Sequence, residues 1–348
     1  PMDSGYTIIV ANTGNTLTYN VVTGLTPSTD YLFKVSAINA AGVGPSSNQK
    51  FGTTLAFPAV TLSSTAPDPT NTSPIPVTAT FSESVTGFQE SEIVVTNGAT
   101  SNFVAVSGAI YTFDVTPASQ GLVSVDIPAN IAFDIVNGGN TAAATLSRTY
   151  DSASPSVVLS TTAADPTNVS PFTVTATFSE AVSGFALGDI IVTNGVASSL
   201  AGGPSIYTFS VTPSSNGLVS VDVGAGVATD SVGNGNTAAA TLSKTYDGTT
   251  PTLVLSTTVT DPTNVSPFTV TATFSEDVSG FALVDIAVTN GVASALSGGP
   301  SVYTFDVTPS GQGLVSINVA ADMATDAAGN GNTVAATLSR TFDNISPT

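Results

Sequence analysis

Carboxylates are the side chains of this sequence whose grouping points most directly to chemistry. Asp-x-x-Gly-Asn-Gly-Asn occurs at 230–236 and again at 326–332, and Asp134 opens a related loop that ends at Asn140. Glu180, Asp189 and Asp230, with Asp151 ahead of them, form one set. Asp247, Glu276, Asp277, Asp285 and Asp326 form a second, and Glu83, Glu92 and Asp134 form a third without a leading aspartate. Like charges gathered together disfavour one another's ionisation. Calcium relieves that cost by taking six to eight oxygens in flexible geometry, so calcium is the cofactor these sets predict. Asn and Gly also tolerate positive φ, and turn chemistry by itself accounts for such a loop. The spacing is not that of an EF-hand. A pair of carboxylates could serve a glycosidase as acid and base, but an enzyme needs one site in one cleft, whereas each candidate here recurs in register. No catalytic residue is assigned.

Composition excludes most other chemistry. The 348 residues include no Cys, no His and no Trp, so a disulfide scaffold, a thiol or zinc enzyme and a Ser-His-Asp hydrolase all lack their parts. Five basic against 24 acidic residues give a net charge of −19. That field repels nucleic acid and anionic membrane surfaces. A hydrophobic share of 41% suits a chain that folds, and no apolar run approaches the roughly 20 residues of a membrane span. Charged residues are only 8%, against about a quarter in an average domain, a balance common in secreted and surface-displayed proteins. An extracellular or cell-surface location is expected. The sequence begins at Pro1 without a secretion signal and is expected to be part of something longer.

The elements that must position the carboxylates come in tandem copies. Asp-Pro-Thr-Asn recurs at Asp68, Asp165 and Asp261, and Tyr-Thr-Phe at Tyr111, Tyr207 and Tyr303. Placing each boundary at a linker proline gives copies at 58–154, 155–250 and 251–346, with 347–348 beginning a further one. Within a copy the periodicity is two, as in Phe172-Thr173-Val174-Thr175-Ala176-Thr177-Phe178. Seven strands are expected in the second copy, at 157–162, 172–178, 189–193, 196–200, 206–212, 218–223 and 237–246. The fold class is therefore all-β, with tandem seven-stranded immunoglobulin-like sandwiches arranged end to end. Val174, Phe178, Tyr207, Phe209, Val219 and Val221 are assigned to inner faces. Strand parity returns the loops after the second strand and before the seventh to the linker end of each sandwich. The sets built on Asp151 and on Asp247 thus fall at junctions between copies, and the turn between the first two strands falls at the opposite end.

Thr-Phe-Ser-Glu at 80–83, 177–180 and 273–276, Gly-Phe at 87, 184 and 280, Val-Thr-Asn-Gly at 95, 192 and 288, and the Asn-Gly-rich loops together resemble the bacterial immunoglobulin-like repeats of large surface adhesins. The resemblance covers residues 58–346 and implies disulfide-free sandwiches in a stalk or adhesin. Several such repeats carry calcium at domain junctions, which points to the same carboxylates. Residues 1–57 resemble the C-terminal half of a fibronectin type III domain with its connector, and Leu25, Pro27 and Tyr31 match that family's tyrosine corner. Tyr6, Ile8, Leu17, Tyr19, Val21, Val35 and Ile38 would belong to its apolar face, which strands from elsewhere are expected to complete.

The function these features predict is that of a non-enzymatic spacer, a segment of a long extracellular surface protein whose junctions calcium stiffens. Its partners are further domains of the same chain or neighbouring chains of an assembly. The rivals are a ligand-binding adhesive module with an unidentified surface ligand and a subunit of a self-assembling filament. Lysine–asparagine isopeptide cross-linking needs a core lysine in each copy, and the corresponding positions hold Arg148, Lys244 and Arg340, so two of the three copies lack it. Asn71, Asn168, Asn264 and Asn344 fit the glycosylation triplet, though a turn-forming residue beside proline explains the first three.

Overall fold

The computed structural model describes residues 25–34, 36–39 and 41–346. They fall into two compact units, Pro1–Ala153 and Ser154–Thr348. Almost every element is a strand, and three short 3-10 turns complete the regular structure of the described residues.

The first unit opens with β1 (Asp30–Phe33), β2 (Ser36–Asn39), β3 (Gly42–Ser46) and β4 (Lys50–Thr53), in which β1 pairs with β4 and β2 with β3. The Tyr31 hydroxyl accepts the Thr26 amide proton at 2.8 Å, the hydrogen bond a tyrosine corner requires. Hydrogen bonding to the Thr26 side chain, and then to its backbone, holds the Tyr31 phenol below its ordinary pKa. Phe33 lies over Gly52, where a Cβ would come within 3.3 Å of its ring. The remaining apolar positions assigned to this domain, from Tyr6 to Val21 and the side chains of Val35 and Ile38, lie outside the described residues.

The same unit continues into the first repeat: β5 (Val60–Ser63), β6 (Ile75–Phe81), β7 (Val94–Thr96), β8 (Gly98–Ala105), β9 (Ile110–Pro117), β10 (Gly121–Asp126) and β11 (Leu146–Tyr150). The second unit holds the other two. Repeat two has β12 (Val157–Ser160), β13 (Phe172–Phe178), β14 (Ile190–Thr193), β15 (Gly195–Gly202), β16 (Ile206–Pro213), β17 (Gly217–Val223) and β18 (Leu242–Tyr246). Repeat three has β19 (Leu253–Ser256), β20 (Phe268–Phe274), β21 (Ile286–Thr289), β22 (Gly291–Gly298), β23 (Val302–Pro309), β24 (Gly313–Val319) and β25 (Leu338–Phe342).

Each repeat is a sandwich of a four-stranded and a three-stranded antiparallel sheet. In repeat two the orders are β12-β13-β16-β15 and β14-β17-β18, and the other repeats copy them. These are the two sheets of a constant-type immunoglobulin domain. Alternation explains the packing: Phe172, Val174, Ala176 and Phe178 of β13 are buried while Thr173 and Thr177 face solvent. Phe209 is buried beside them on the adjacent β16, Val219 and Val221 are buried on the facing sheet, and Tyr207 is half-buried with its ring centroid 5.1 Å from that of Phe185. Each repeat has its own closed core, so none depends on a neighbour to bury its apolar faces.

The last strand departs from expectation. It spans 242–246 rather than 237–246, because the backbone of Thr237 donates to Pro155 and that of Ala239 to Val223 before the ladder with β17 begins. The loop is thereby laced across the linker end of its sandwich. At the far end Thr167 donates to Thr245 and accepts from Asp247, a parallel bridge that brings the turn after β12 against the final strand. The Arg148 and Arg340 guanidinium groups tie this turn too, donating to the Ala66 and Val259 carbonyls at 2.9 and 3.1 Å.

Candidate cation-binding junction

The loop before β25 is built around two polar side chains. Asn332 is 1% exposed. Its Oδ1 accepts the amides of Met323 and Ala324 at 2.8 Å, and its Nδ2 donates to the carbonyls of Ala320 and Thr333. One side chain thus satisfies four backbone groups that would otherwise be buried without partners. Asn140 and Asn236 fill the same place in the other repeats.

Asp326, 7% exposed, organises the loop tip: Oδ1 accepts the Gly329 and Asn330 amides at 2.8 Å, and Oδ2 accepts Asn330 Nδ2 at 2.8 Å. Gly329 has φ +94°, which an L side chain rarely adopts. Asn330 Nδ2 also donates to the main-chain carbonyl of Asp247 at 2.9 Å, joining the third repeat's loop to the linker that precedes it. Asp247 is held by its amide on Thr167, and its Oδ1 accepts Asn216 Nδ2 at 2.7 Å and the Thr249 amide at 2.9 Å. Glu276 follows β20 by two residues. Carboxylate oxygens of Asp247, Glu276 and Asp326 lie within 4.8 Å of one another. Burial raises the Glu276 pKa above its ordinary value, and the charges of Asp326 and Asp247 raise it further.

The donor set suits a hard cation such as calcium in type, since it offers carboxylate oxygens and no nitrogen or sulfur. The bonds just described engage Oδ1 of Asp247 and both oxygens of Asp326. A cation here would take one oxygen from each of the three carboxylates, with carbonyls or water completing its shell.

In repeat two, oxygens of Glu180 and Asp230 lie within 4.8 Å of each other. Burial pushes the Asp230 pKa up, but bonds from the Asn234 backbone and side chain and from the Val232 and Gly233 amides outweigh it, leaving the group below the ordinary carboxylate range. Asp151 belongs to the first unit, where its Oδ1 accepts the Ala153 amide at 3.0 Å.

Asp189 and Asp285 stand outside these carboxylate groups. Each closes a 3-10 turn by accepting the amide three residues back, from Ala186 or Ala282, at 2.8 Å. Glu92 does the same for Gln89 in repeat one. Glu83 and Asp134 also stand outside them: the place of the linker aspartate is taken by Thr54, and Asp134 Oδ1 is engaged by the Val136 and Gly138 amides. Asn330 was not among the expected site residues. Its signal is nonetheless in the sequence, because Asn234 and Asn330 occur in the two copies preceded by Asp151 and Asp247, whereas the copy without a linker aspartate has Gly138 there.

The family described as "Bacterial Ig-like domain" matches residues 54–150, 151–246 and 247–342, and that described as "Fibronectin type III domain" matches residues 1–53. No curated protein matches the chain. Among solved structures the chain is similar to invasin, a bacterial integrin-binding protein, at 15% identity and a TM-score of 0.37, covering 82% of this chain and 60% of that one. It is similar to InvD of Yersinia pseudotuberculosis at 12% identity and a TM-score of 0.35, covering 83% of this chain and 98% of that one. The N-terminal part of the bacterial S-layer protein SbsC matches at 16% identity and a TM-score of 0.21, covering 55% and 44%.

Proposed function

The chain belongs to the bacterial Ig-like domain family, with a fibronectin type III domain ahead of its three repeats, and from that premise we propose that it is a spacer segment of a long extracellular adhesin-like protein. Modules of both kinds are typically structural, and the work of this segment is geometric. Each repeat is a self-contained sandwich whose termini lie at opposite ends, so adding a repeat adds length. A seven-residue strand at about 3.3 Å per residue contributes on the order of 20 Å, and the loops at both ends extend that.

One observation carries the proposal: the second and third repeats are clasped through Asn330 and the Asp247 carbonyl, while each keeps a separate core. A clasped junction with independent cores favours transmission of position over recognition. The junction carboxylates Asp247, Glu276 and Asp326 are the proposed seat of a calcium ion that neutralises them and stiffens the joint. A cation bound only to the folded state at a hundredfold excess over its Kd adds about 2.7 kcal/mol. The test is calorimetry with small-angle scattering, with and without a chelator. Chelation should lower the melting temperature and broaden the distribution of sizes. If neither changes, the calcium part of the proposal fails and the Asn330 clasp alone defines the joint.

A further inference from the structure

Repeats two and three are identical over sixteen residues, Asp165–Glu180 and Asp261–Glu276, which begin at the turn after their first strand with Asp-Pro-Thr-Asn-Val-Ser-Pro. The turns themselves are identical, so a difference between them comes from what packs against them, either the preceding pair, Ala163-Ala164 against Val259-Thr260, or a neighbouring repeat. In repeat two this turn lines a groove with Thr162, Ala163 and Ala164, and Ala328 of the third repeat's loop forms its remaining wall. Ala328 is 9% exposed, and a methyl group on Gly329 would lie 3.6 Å from Asn168 Nδ2. Pro166 and Asn168 are half-buried there, whereas the identical Pro262 and Asn264 are exposed. In repeat three the same turn lines an open groove of about 260 Å³ with Val259, Thr260 and Asp343.

Asp343 is set as Asp247 is. Its amide donates to Thr263 at 2.9 Å, as that of Asp247 does to Thr167 at 3.0 Å. Its Oδ1 accepts the amide two residues on, from Ile345 at 3.0 Å, as that of Asp247 does from Thr249 at 2.9 Å. Both halves of the receiving surface seen between repeats two and three are thus present a second time.

We propose that this groove and Asp343 form a preshaped seat for the Asp-x-x-Gly-Asn-Gly-Asn loop of another immunoglobulin-like repeat of this class, joined in line through residue 343. The seat selects on two positions. The third loop residue must be small enough to enter beside Val259 and Val265, as Ala328 enters beside Ala163 and Val169. The fifth must be Asn, to donate to the carbonyl of residue 343 as Asn330 donates to that of Asp247. A loop with Gly in the fifth place, as at Gly138, lacks the donor. Seating would also place the Asp343 carboxylate beside the incoming loop aspartate, the arrangement of Asp247 and Asp326. The inference rests on the spacer function proposed above and names the partner at this surface.

The test lengthens the whole chain in register, placing a second copy of residues 251–346 after Ser346, and compares amide chemical shifts. In the unextended chain the shifts of Asn168 and Val169 should differ from those of Asn264 and Val265 despite identical local sequence. In the extended chain Asn264 and Val265 should move toward the values of Asn168 and Val169, with the differing Val259 and Thr260 setting the remaining offset. An added copy carrying Asn→Ala and Ala→Glu at the positions matching Asn330 and Ala328 should leave them where they were. No movement in the extended chain overturns the seat. If instead the two turns give the same shifts in the unextended chain, the junction between repeats two and three is itself not formed, and the spacer function fails first.

Discussion

The side-chain amide of Asn330 donates at 2.9 Å to the main-chain carbonyl of Asp247, and the same nitrogen reaches Asp326 Oδ2 at 2.8 Å. One residue therefore fixes its own loop and fastens that loop to the linker. Replacing it with Ala removes both bonds while keeping a side chain the backbone accepts. N330A is expected to cost about 1–2 kcal/mol, of which the share assigned to the linker appears only when repeat two is present. Scanning calorimetry on the full chain would show the third repeat melting several degrees lower, at about 4–8 °C per kcal/mol for a domain of this size. An unchanged melting temperature would mean that water replaces the clasp at no cost.

Asn332 predicts a larger effect. Its side chain serves the Met323 and Ala324 amides and the Ala320 and Thr333 carbonyls in a site closed to solvent. Asn332→Ala leaves these groups unsatisfied at about 1–3 kcal/mol each, partly relieved by relaxation, so a loss of at least about 3 kcal/mol is expected in urea unfolding. Asn332→Asp keeps the shape but sets an oxygen against two carbonyls, and it should recover little.

The two loop carboxylates with shifted pKa values respond oppositely to acid. Glu276 is raised in the folded state, first by burial and then by Asp326 and Asp247. The fold then binds that proton more tightly than the unfolded chain does, and without a cation the associated penalty is relieved as pH falls through the folded pKa. Glu276→Gln should therefore stabilise the cation-free protein at neutral pH and lose its advantage in acid. Asp230 is lowered by its hydrogen bonds despite burial. It contributes stability above its unfolded pKa that is lost as pH falls through the folded one, so Asp230→Asn should destabilise at neutral pH and converge with the parent in acid. Melting temperatures from pH 2.5 to 8 for the parent and the two variants check both signs.

Core packing was the most legible part of the sequence, because alternation in Phe172–Phe178 leaves only one face to bury. Phe209, 1% exposed, shows how strongly: Phe209→Ala should cost about 3–5 kcal/mol. The site was legible in part. Strand parity correctly carried Glu276 and Asp326 to the linker end beside Asp247. It could not tell that Asp189 and Asp285 are spent capping 3-10 turns, since that depends on the backbone three residues earlier. Nor does periodicity mark Asn330, which reaches the distant Asp247 carbonyl, or Asn332, which serves backbone groups of its own loop. The shortened β18 escaped for a related reason: Thr237 and Ala239 are spaced as strand residues but bond to Pro155 and Val223.

On the proposed function, repeats two and three are held in a fixed relation by the joint between them, and the distance between these two repeats tests that most directly. The chain has no cysteine, so spin labels can be placed on Leu218→Cys and Leu314→Cys, equivalent outward positions on β17 and β24 that are 62% and 59% exposed. Double electron–electron resonance should give a single narrow distance distribution for this pair, and N330A should broaden it. A broad distribution in the chain with Asn330 intact, unchanged by N330A, would contradict the claim and leave the repeats as independent beads on a flexible string.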